Sequence, residues 1–207
     1  MTKEIKLGKL TVRWLGHASF EVFDKKKVFI DPYAGGGEKA DIILITHSHF
    51  DHCDEKKIAQ LRKEDTIVIA PISCAKKIDV RVIEPEGQMH IGDITIKAVE
   101  AYNIGKNFHP KGFGVGYILD MDGKKIYHAG DTDKIPEMAR LEREKIDIAL
   151  LPVGGTYTMT LEEAAEAAKM IKPKMVFPMH YGMVEGTSAK PEKMKELLKG
   201  TGIDAIV

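Results

Sequence analysis

The sequence predicts an α/β protein in which two sheets face each other and helices cover their outer sides. Two observations support this fold class. Short runs rich in β-branched and aromatic residues, separated by glycine and proline, occur in both halves of the 207-residue chain. Helical segments with one apolar face lie among these runs in both halves, so each half can supply a sheet and its covering helices.

The first half of the chain begins with an antiparallel meander of three short strands. A buried strand follows, and after a polar turn comes a helix that Asp54 can cap at its N-terminus. Three further strands, punctuated by glycine and proline, complete this half. The expected helix covers residues 55–61, and the expected strands cover 10–14, 19–23, 28–30, 41–46, 66–70, 80–83 and 94–99.

The second half opens with a hairpin, for which the Asp122-Gly123 turn is a strong signal. Helices and strands then alternate. Asp133 can cap one helix, and Thr160 with Glu163 forms a capping box for the next. The expected helices cover 133–142, 160–171 and 191–199, and the expected strands cover 116–119, 125–127, 146–153, 175–177 and 204–207.

Composition narrows the classes of function. Lysine plus arginine number 31 and so do aspartate plus glutamate, so no global basic field favours nucleic acid or acidic lipid. No segment has signal-peptide or membrane-span character, and Cys53 and Cys74 form no CxxC pair, which together favour a cytoplasmic protein. Charged residues reach 30% while side-chain amides number only four, a composition typical of a thermophile. No linker divides the chain, so we expect one domain over residues 1–207.

Residues 47–52 read His-Ser-His-Phe-Asp-His and follow directly on the apolar run that ends at Thr46. In an extended segment residues 47 and 49 point to the same side, so His47 and His49 can reach one ion as neutral imidazoles. Asp51 and His52 come where the chain turns into the next helix, whose dipole favours the neutral form of His52. Four donors in six positions indicate a metal site, where a lone histidine would indicate a solvated loop.

Further candidate ligands follow other apolar runs. Asp31, Asp131 and His180 each come at the end of an expected strand, as His47 does. Open sheets bind ligands beyond the carboxyl ends of their strands. We therefore expect these residues to meet at one edge of the sandwich.

These motifs resemble the metallo-β-lactamase superfamily over nearly the whole chain. Residues 47–52 match its HxHxDH signature, and Asp31, Asp131 and His180 resemble its early aspartate, bridging aspartate and final histidine. The resemblance implies an αββα sandwich of two facing mixed sheets flanked by helices, with a two-metal cleft along one edge. The segments that look most like small metal-dependent hydrolases related to ascorbate-phosphate lactonase are 14–20, 127–132 and 178–181.

The resemblance also implies two divalent ions, which we expect to be zinc, although manganese, iron and nickel accept the same ligands. Asp131 would bridge the two ions. The other implied ligands are His47, His49 and a third histidine for the first ion, and Asp51, His52 and His180 for the second.

The third histidine is the least regular part of this pattern. In relatives it commonly follows directly on a strand, whereas here the strand ends at Asn103 and the nearest histidine is His109. A small insertion could bring His109 round to the ion. Asn103 or water in that position is the alternative.

Two divalent ions can share a water, lower its pKa to about 7 and polarise a carbonyl or phosphoryl oxygen, so the expected nucleophile is metal-bound hydroxide. Asp51 can bind an ion and also orient that hydroxide or take its proton. We expect Asp31 to accept a hydrogen bond from a ligand histidine and fix its tautomer. His17 and His128 are further catalytic candidates, as supports for ligands or contacts to substrate, with satisfied polar groups inside the sandwich as the alternative.

Three functions compete. The leading hypothesis is hydrolysis of a small-molecule ester, lactone or phosphoester, because the balanced charge favours a compact substrate over a polymer. A two-metal phosphodiesterase or nuclease would need a cationic clamp, for which the candidates are Lys106, Lys111 and Arg13. A redox or binding-only protein of the same fold is the third, although redox relatives typically carry a carboxylate in place of His49. We expect no membrane partner and disfavour nucleic acid, and the resemblance allows a homo-oligomer.

Overall fold

The structure, a computed structural model, describes residues 3–207 and is built on two seven-stranded sheets. In each sheet the strands lie side by side in the order of the sequence. The first sheet contains β1 (Lys3–Leu7), β2 (Leu10–Gly16), β3 (Ser19–Phe23), β4 (Lys27–Ile30), β5 (Ile42–Leu44), β6 (Ile67–Ala70) and β7 (Arg81–Val82). The second contains β8 (Gln88–Ile91), β9 (Ile94–Ala101), β10 (Gly114–Met121), β11 (Lys124–His128), β12 (Ile148–Pro152), β13 (Met175–Met179) and β14 (Asp204–Ala205).

Both sheets are mixed, and both change from antiparallel to parallel pairing along the chain. Strands β1 to β4 pair antiparallel, and β4 to β7 pair parallel. In the second sheet β8 to β11 pair antiparallel, and β11 to β14 pair parallel. The carboxyl ends of the parallel strands therefore meet at one edge of each sheet.

The helices lie outside the two sheets. They are α1 (Glu55–Leu61), α2 (Leu161–Ile171) and α3 (Met194–Leu197), with 3₁₀ helices at Ile72–Cys74, Pro136–Glu144 and Pro191–Lys193. Among residues 3–207, none of these helices has the length and apolar character needed to cross a bilayer.

Three apolar clusters hold the layers together. The largest lies between the sheets and joins Phe20 and Leu44 of the first sheet to Tyr117 and Phe177 of the second. A second cluster packs α1 on the outer face of the first sheet, and a third packs α2 and the Pro136–Glu144 helix on the second sheet. The predicted αββα sandwich of mixed sheets is thus confirmed.

The local signals for the helix starts are present. Asp54 accepts hydrogen bonds from the backbone N–H groups of Lys56 and Lys57, and Thr160 and Glu163 form the predicted capping box. Each cap satisfies backbone donors that have no partner within the first turn. Burial of the apolar face of α2 against the second sheet then holds that helix in place.

One predicted helix differs from the structure. Residues 133–142 were expected to form an α-helix capped by Asp133, but the helix is 3₁₀ and runs over Pro136–Glu144. The Asp133 carboxylate instead accepts hydrogen bonds from the backbone N–H of Ile104 at 2.8 Å and from Lys106 Nζ at 2.7 Å. Because these contacts hold the Asp133 carboxylate, it does not cap the helix.

The sheet edges also differ from the sequence prediction. Strand β1 lies outside the predicted strands, although its alternation of charged and apolar residues is typical of an edge strand with one exposed side. Edge strand β8 also lies outside the predicted strands, and its His90 pairs with Thr95 of β9. Both elements are defined by a neighbouring strand more than by their own composition.

Close approach of β10 to the end of β5 predicts an effect of one glycine. A Cβ atom on Gly114 would lie 2.9 Å from the Cβ of His47 and 3.0 Å from the carbonyl oxygen of Thr46. Side-chain rotation moves neither of these two atoms, so the backbone would have to shift. We expect Gly114→Ala to lower the free energy of unfolding by about 1–3 kcal/mol through overpacking, measured by urea denaturation. Gly37→Ala is the matched control, since a Cβ there has no neighbour within 4 Å. Equal unfolding free energies for the two variants would contradict this account.

Candidate metal centre

The candidate centre lies where the carboxyl ends of the parallel strands from the two sheets face each other. Asp31 directly follows β4, and His47 lies just beyond β5. Asp131 lies just beyond β11, and His180 directly follows β13. The backbone N–H of Val115 donates to the carbonyl oxygen of Thr46 at 2.9 Å, which joins the sheets beside the centre.

Three histidine nitrogens converge in the first group of donors. His49 Nδ1 lies 3.1 Å from His47 Nε2 and 3.1 Å from His109 Nε2. His47 Nδ1 lies 3.0 Å from the hydroxyl of Thr46, which already donates to a carboxylate, so His47 is the donor in this bond. The Nε2 atom of His47 is therefore left with its lone pair facing the group.

The structure brings His109 to the position of the third histidine, and Asn103 supports it. His109 donates to the Asn103 Oδ1 atom from its backbone N–H and from ring Nδ1, both at 3.0 Å. The Asn103 amide group in turn donates to the carbonyl oxygen of Tyr157 at 3.0 Å. Asn103 thus fixes the His109 ring and leaves its Nε2 atom free to bind an ion.

The second group contains Asp51, His52, His180 and also His17. The Oδ2 atom of Asp51 lies 3.8 Å from the Nε2 atoms of both His52 and His180. His17 Nε2 lies 3.0 Å from the same oxygen, and its ring centroid is 4.0 Å from that of His180. Of the roles that the sequence left open for His17, this contact with Asp51 fits support of a candidate ligand.

Asp131 lies between the two groups. Its Oδ2 atom is 3.2 Å from His109 Nε2 of the first group and 3.0 Å from His180 Nε2 of the second. Its Oδ1 atom is 3.3 Å from His52 Nε2. This is the position that a bridging carboxylate requires.

Asp31 contacts the centre only through other side chains. Its Oδ1 atom accepts from the backbone N–H of Thr46 at 2.7 Å, and its Oδ2 atom accepts from the Thr46 hydroxyl at 2.6 Å and from His52 Nδ1 at 2.7 Å. Because His52 donates from Nδ1, its Nε2 atom faces the centre unprotonated in the neutral ring. Thr46 is not among the residues predicted from the sequence, where its signal is a hydroxyl directly before the first histidine of the motif.

The two central carboxylates are held in their charged form. Burial raises the pKa of Asp131, but nearby His180 and His52 lower it by more, to well below its ordinary value. Burial likewise raises the pKa of Asp51, whereas the hydrogen bond from His17 and the nearby His52 bring it down to about 2. Both groups therefore offer negative oxygens to the centre at neutral pH.

The pKa values of the imidazoles near these carboxylates shift in different directions. Burial lowers the pKa of His47 well below its ordinary value, and burial also lowers that of His49, which favours the neutral, metal-binding form of both. Burial also lowers the pKa of His52, but Asp131 and Asp31 raise it by more, to well above its ordinary value. These carboxylates oppose the helix dipole that we expected to keep His52 neutral, and they favour the positively charged form of the His52 ring.

The donor set fits divalent cations. Ligand nitrogens that bind a tetrahedral zinc ion at about 2.0–2.1 Å lie about 3.3 Å from one another, close to the 3.1 Å spacings of the first group. Among the buried atoms of residues 3–207 that have no hydrogen-bond partner are His52 Nε2, Asp131 Oδ1 and His180 Nε2. Buried polar atoms normally have partners, and these three all face the centre. A cation among them would satisfy all three.

The hydrogen bonds of His128 fit a satisfied polar group inside the sandwich, which is the alternative to a catalytic role. Its Nε2 atom donates to the carbonyl oxygen of Ala18 at 2.8 Å, and its Nδ1 atom accepts from the backbone N–H of Gly130 at 3.2 Å. The ring is fully buried and lies outside the candidate metal-binding groups of the described chain. Since both nitrogens serve the backbone, His128 ties the two sheets together.

A cavity of about 230 Å³ opens onto the centre. Its lining combines donors of both groups with apolar and aromatic side chains. The motifs of the sequence do not indicate these apolar residues. The complete lining is His49, Phe50, Asp51, Phe108, His109, Asp131, Tyr157, His180 and Val184.

The fold and sequence are similar to those of known metal-dependent hydrolases. Residues 11–180 match the family described as the beta-lactamase superfamily domain. The chain is 36% identical over 213 residues to a UPF0173 metal-dependent hydrolase from Thermoplasma acidophilum, an alignment that covers 96% of this chain and 95% of the relative.

Two solved structures extend the similarity. Igni18, a novel metallo hydrolase from Ignicoccus hospitalis, has a TM-score of 0.80 at 28% identity, with 96% of this chain and 94% of that one covered. A Parabacteroides distasonis protein has a TM-score of 0.88 at 39% identity, with 100% of this chain and 97% of that one covered.

Asp31→Asn tests whether Asp31 sets the tautomer of His52. An asparagine has one acceptor atom for the Thr46 donors and would turn its amide N–H toward His52 Nδ1, which places the ring proton on Nε2 and blocks that ligand. We expect the affinity for zinc to fall by about 10–100-fold, measured by chelator competition. Asp122→Asn is the matched control, because Asp122 is exposed and, like Asp31, has a left-handed backbone, with φ values of 53° and 46°. Unchanged zinc affinity in Asp31→Asn would rule out this role for Asp31.

Proposed function

This chain belongs to the metallo-β-lactamase superfamily and is a metal-dependent hydrolase, and from that premise we propose that it binds two divalent ions to hydrolyse a small ester, lactone or phosphoester. The observation that carries the two-ion proposal is the position of Asp131. One of its oxygens lies within 3.2 Å of a histidine from each donor group. A carboxylate shared in this way suits a pair of ions better than one.

We assign the donor groups to the two ions as follows. His47, His49 and His109 would hold the first ion, a set of three neutral imidazoles that suits zinc. Zinc is our proposal for both positions, although imidazole and carboxylate ligands also accept manganese, iron and nickel. The second ion would be held by Asp51, His52 and His180, with Asp131 bridging the two.

When bound, such a pair of ions lowers the pKa of a shared water and polarises the substrate oxygen. Asp51 would contribute a negative oxygen that accepts a hydrogen bond from that water and so orients it. Burial raises its pKa, but the hydrogen bond from His17 and the nearby His52 lower it to about 2, so Asp51 is ionised at neutral pH and can accept that hydrogen bond. His17, at 3.0 Å from Asp51 Oδ2, would keep that carboxylate in place.

The cavity size supports a compact substrate. At about 230 Å³ it lies below the range of roughly 300–1,000 Å³ that is usual for pockets that bind drug-sized ligands. A single ester or lactone group with a short apolar substituent would fill it. The finer likeness to ascorbate-phosphate lactonase stays a prediction.

The non-hydrolytic alternatives have less support. The candidate ligand residues of both donor groups are present and lie close together. A protein of this fold that only binds a partner would not require these side chains to converge. His49 Nδ1 is central to the first group, at 3.1 Å from two other imidazole nitrogens. This is the position at which redox relatives typically carry a carboxylate.

Metal content tests the two-ion proposal directly. We expect the zinc-loaded protein to contain two ions per chain by plasma mass spectrometry. His109→Ala and His180→Ala should each retain one ion, because each variant damages one donor group, and Asp131→Ala should weaken both sites. His90→Ala is the control, since His90 lies in exposed strand β8 and bonds only to Gln88 and Thr95 among the described residues. One ion per chain in the parent protein, unchanged by either histidine variant, would argue for a different centre.

Activity completes the test. The metal-loaded protein should hydrolyse at least one member of a panel of lactones, carboxylic esters, phosphodiesters and phosphomonoesters. His49→Ala should lose that activity together with bound metal, while His90→Ala should keep both. Full activity after exhaustive removal of metal by a chelator would contradict the proposal.

A further inference from the structure

We infer that the substrate is an uncharged carboxylic ester or lactone whose apolar substituent lies between Phe50 and the Phe108–Tyr157 pair. This inference rests on the proposed hydrolase function and narrows its substrate class. It excludes the phosphoester and nucleic acid substrates that the same ions could serve.

The part of the cavity lining that consists of neither histidine nor aspartate is largely apolar. Phe50, Phe108, Tyr157 and Val184 form it, and no lysine or arginine lines the cavity within the part of the chain that the structure describes. In phosphoryl transfer, negative charge spreads over three equatorial oxygens and is usually stabilised by arginine or lysine in addition to metal ions. This cavity offers no such partner to a phosphate.

Lys106, on the loop that leads to His109, already has hydrogen-bond partners for its ammonium group. Lys106 Nζ donates to Asp133 Oδ1 at 2.7 Å, to the carbonyl oxygen of Thr158 at 2.6 Å and to that of Gly155 at 3.3 Å. Its three N–H groups are thereby used. Lys106 fixes the loop that carries Phe108 and cannot also clamp a phosphate.

The other candidate cations are paired as well. Lys111 Nζ lies 2.9 Å from Glu137 and 3.4 Å from Glu100, and Arg13 bonds to Glu4 at 2.7 Å and to Glu21 at 2.6 Å. All three residues proposed from the sequence as a cationic clamp therefore have carboxylate partners that hold them outside the cavity lining.

Lys77 lies near the metal motif but is also engaged. Its Nζ atom donates to the carbonyl oxygen of Ser48 at 2.6 Å. It supports the backbone of the loop between two ligands and is not part of the cavity lining. A phosphate at the centre would therefore meet the ions and the apolar wall alone.

Two phenylalanines are exposed at this cavity, and each adjoins a metal-type residue in the sequence. Phe50, between His49 and Asp51, is 64% exposed, and Phe108, next to His109, is 45% exposed. Single exposed apolar residues are ordinary on a protein surface, but these two line the same cavity beside the reactive centre. Such a pair is suited to a substrate that covers it.

The aromatic rings are held in fixed orientations. Phe108 packs edge-to-face on Tyr157 with ring centroids 4.8 Å apart, and Phe50 packs edge-to-face on Tyr33 with centroids 6.1 Å apart. Each phenylalanine thus has an aromatic neighbour, and the two rings belong to the apolar lining of the same cavity.

The reaction on such a substrate balances with water alone. The water oxygen bonds to the carbonyl carbon, and the bond from that carbon to the alkoxy oxygen breaks. One proton of the water ends on the departing alcohol oxygen, and the other is released as the acid product ionises. A lactone gives a single hydroxycarboxylate, and an ester gives a carboxylate and an alcohol.

A matched substrate panel tests the inference on the zinc-loaded protein. We expect kcat/KM for para-nitrophenyl butyrate, or for an alkyl-substituted lactone, to exceed that for bis(para-nitrophenyl) phosphate by about 100-fold. Phe108→Ala should raise KM for the ester about tenfold with unchanged zinc content. Ile104→Ala is its control, since Ile104 is 54% exposed on the same loop but does not line the cavity.

A converse variant supplies the missing cation. Val184→Lys should shift the ratio of phosphodiester to ester turnover about tenfold toward the phosphodiester, because it places an ammonium group at the cavity wall. Faster phosphodiester than ester hydrolysis by the parent protein, or equal effects of Phe108→Ala and Ile104→Ala, would overturn the substrate assignment while leaving the hydrolase proposal intact. A protein that binds two ions and hydrolyses no member of the panel would overturn both.

Discussion

The buried carboxylate of Asp31 is the interaction on which the centre depends. Its two oxygens accept three hydrogen bonds, from the backbone and hydroxyl of Thr46 and from His52. These bonds join the end of β4 to the end of β5, orient one ligand ring and set its tautomer. A fully buried charge is tolerated only with such partners, so the loop that carries the histidines and the carboxylate that anchors it stabilise each other.

The centre carries a conformational cost that the rest of the fold must offset. His17, Asp31 and His180 all have left-handed backbones, with φ values of 53°, 46° and 59°. Such residues cost on the order of 1–3 kcal/mol each and persist only where the surrounding structure determines them. The apolar layer between the sheets, which includes Phe20 and Phe177, supplies that support. It keeps donors from distant parts of the chain within 4.8 Å of one another in each group.

Residue type alone does not distinguish a histidine near the candidate centre from a histidine that bonds only to backbone. It also does not distinguish a lysine that is available to a substrate from one that is already paired. His17 and His128 both adjoin apolar runs, yet one contacts Asp51 and the other bonds only to backbone groups. Lys106 carries the positive charge that a phosphate clamp needs, but its ammonium group already donates to Asp133 and to two carbonyl oxygens. These outcomes depend on which groups lie opposite, and those groups come from segments far away in the sequence.

The sequence by itself determined the sandwich, the helix caps at Asp54 and Thr160 and the clustering of candidate ligands in residues 47–52, because periodicity, capping and donor spacing are local properties. It also indicated Asp31, Asp131 and His180, since each follows an apolar run. Only the tertiary structure decided that His109 joins the first group with Asn103 behind it, and that an aromatic wall faces the centre. Loop conformation and the pairing of charges are set by long-range contacts, and a linear pattern does not contain them.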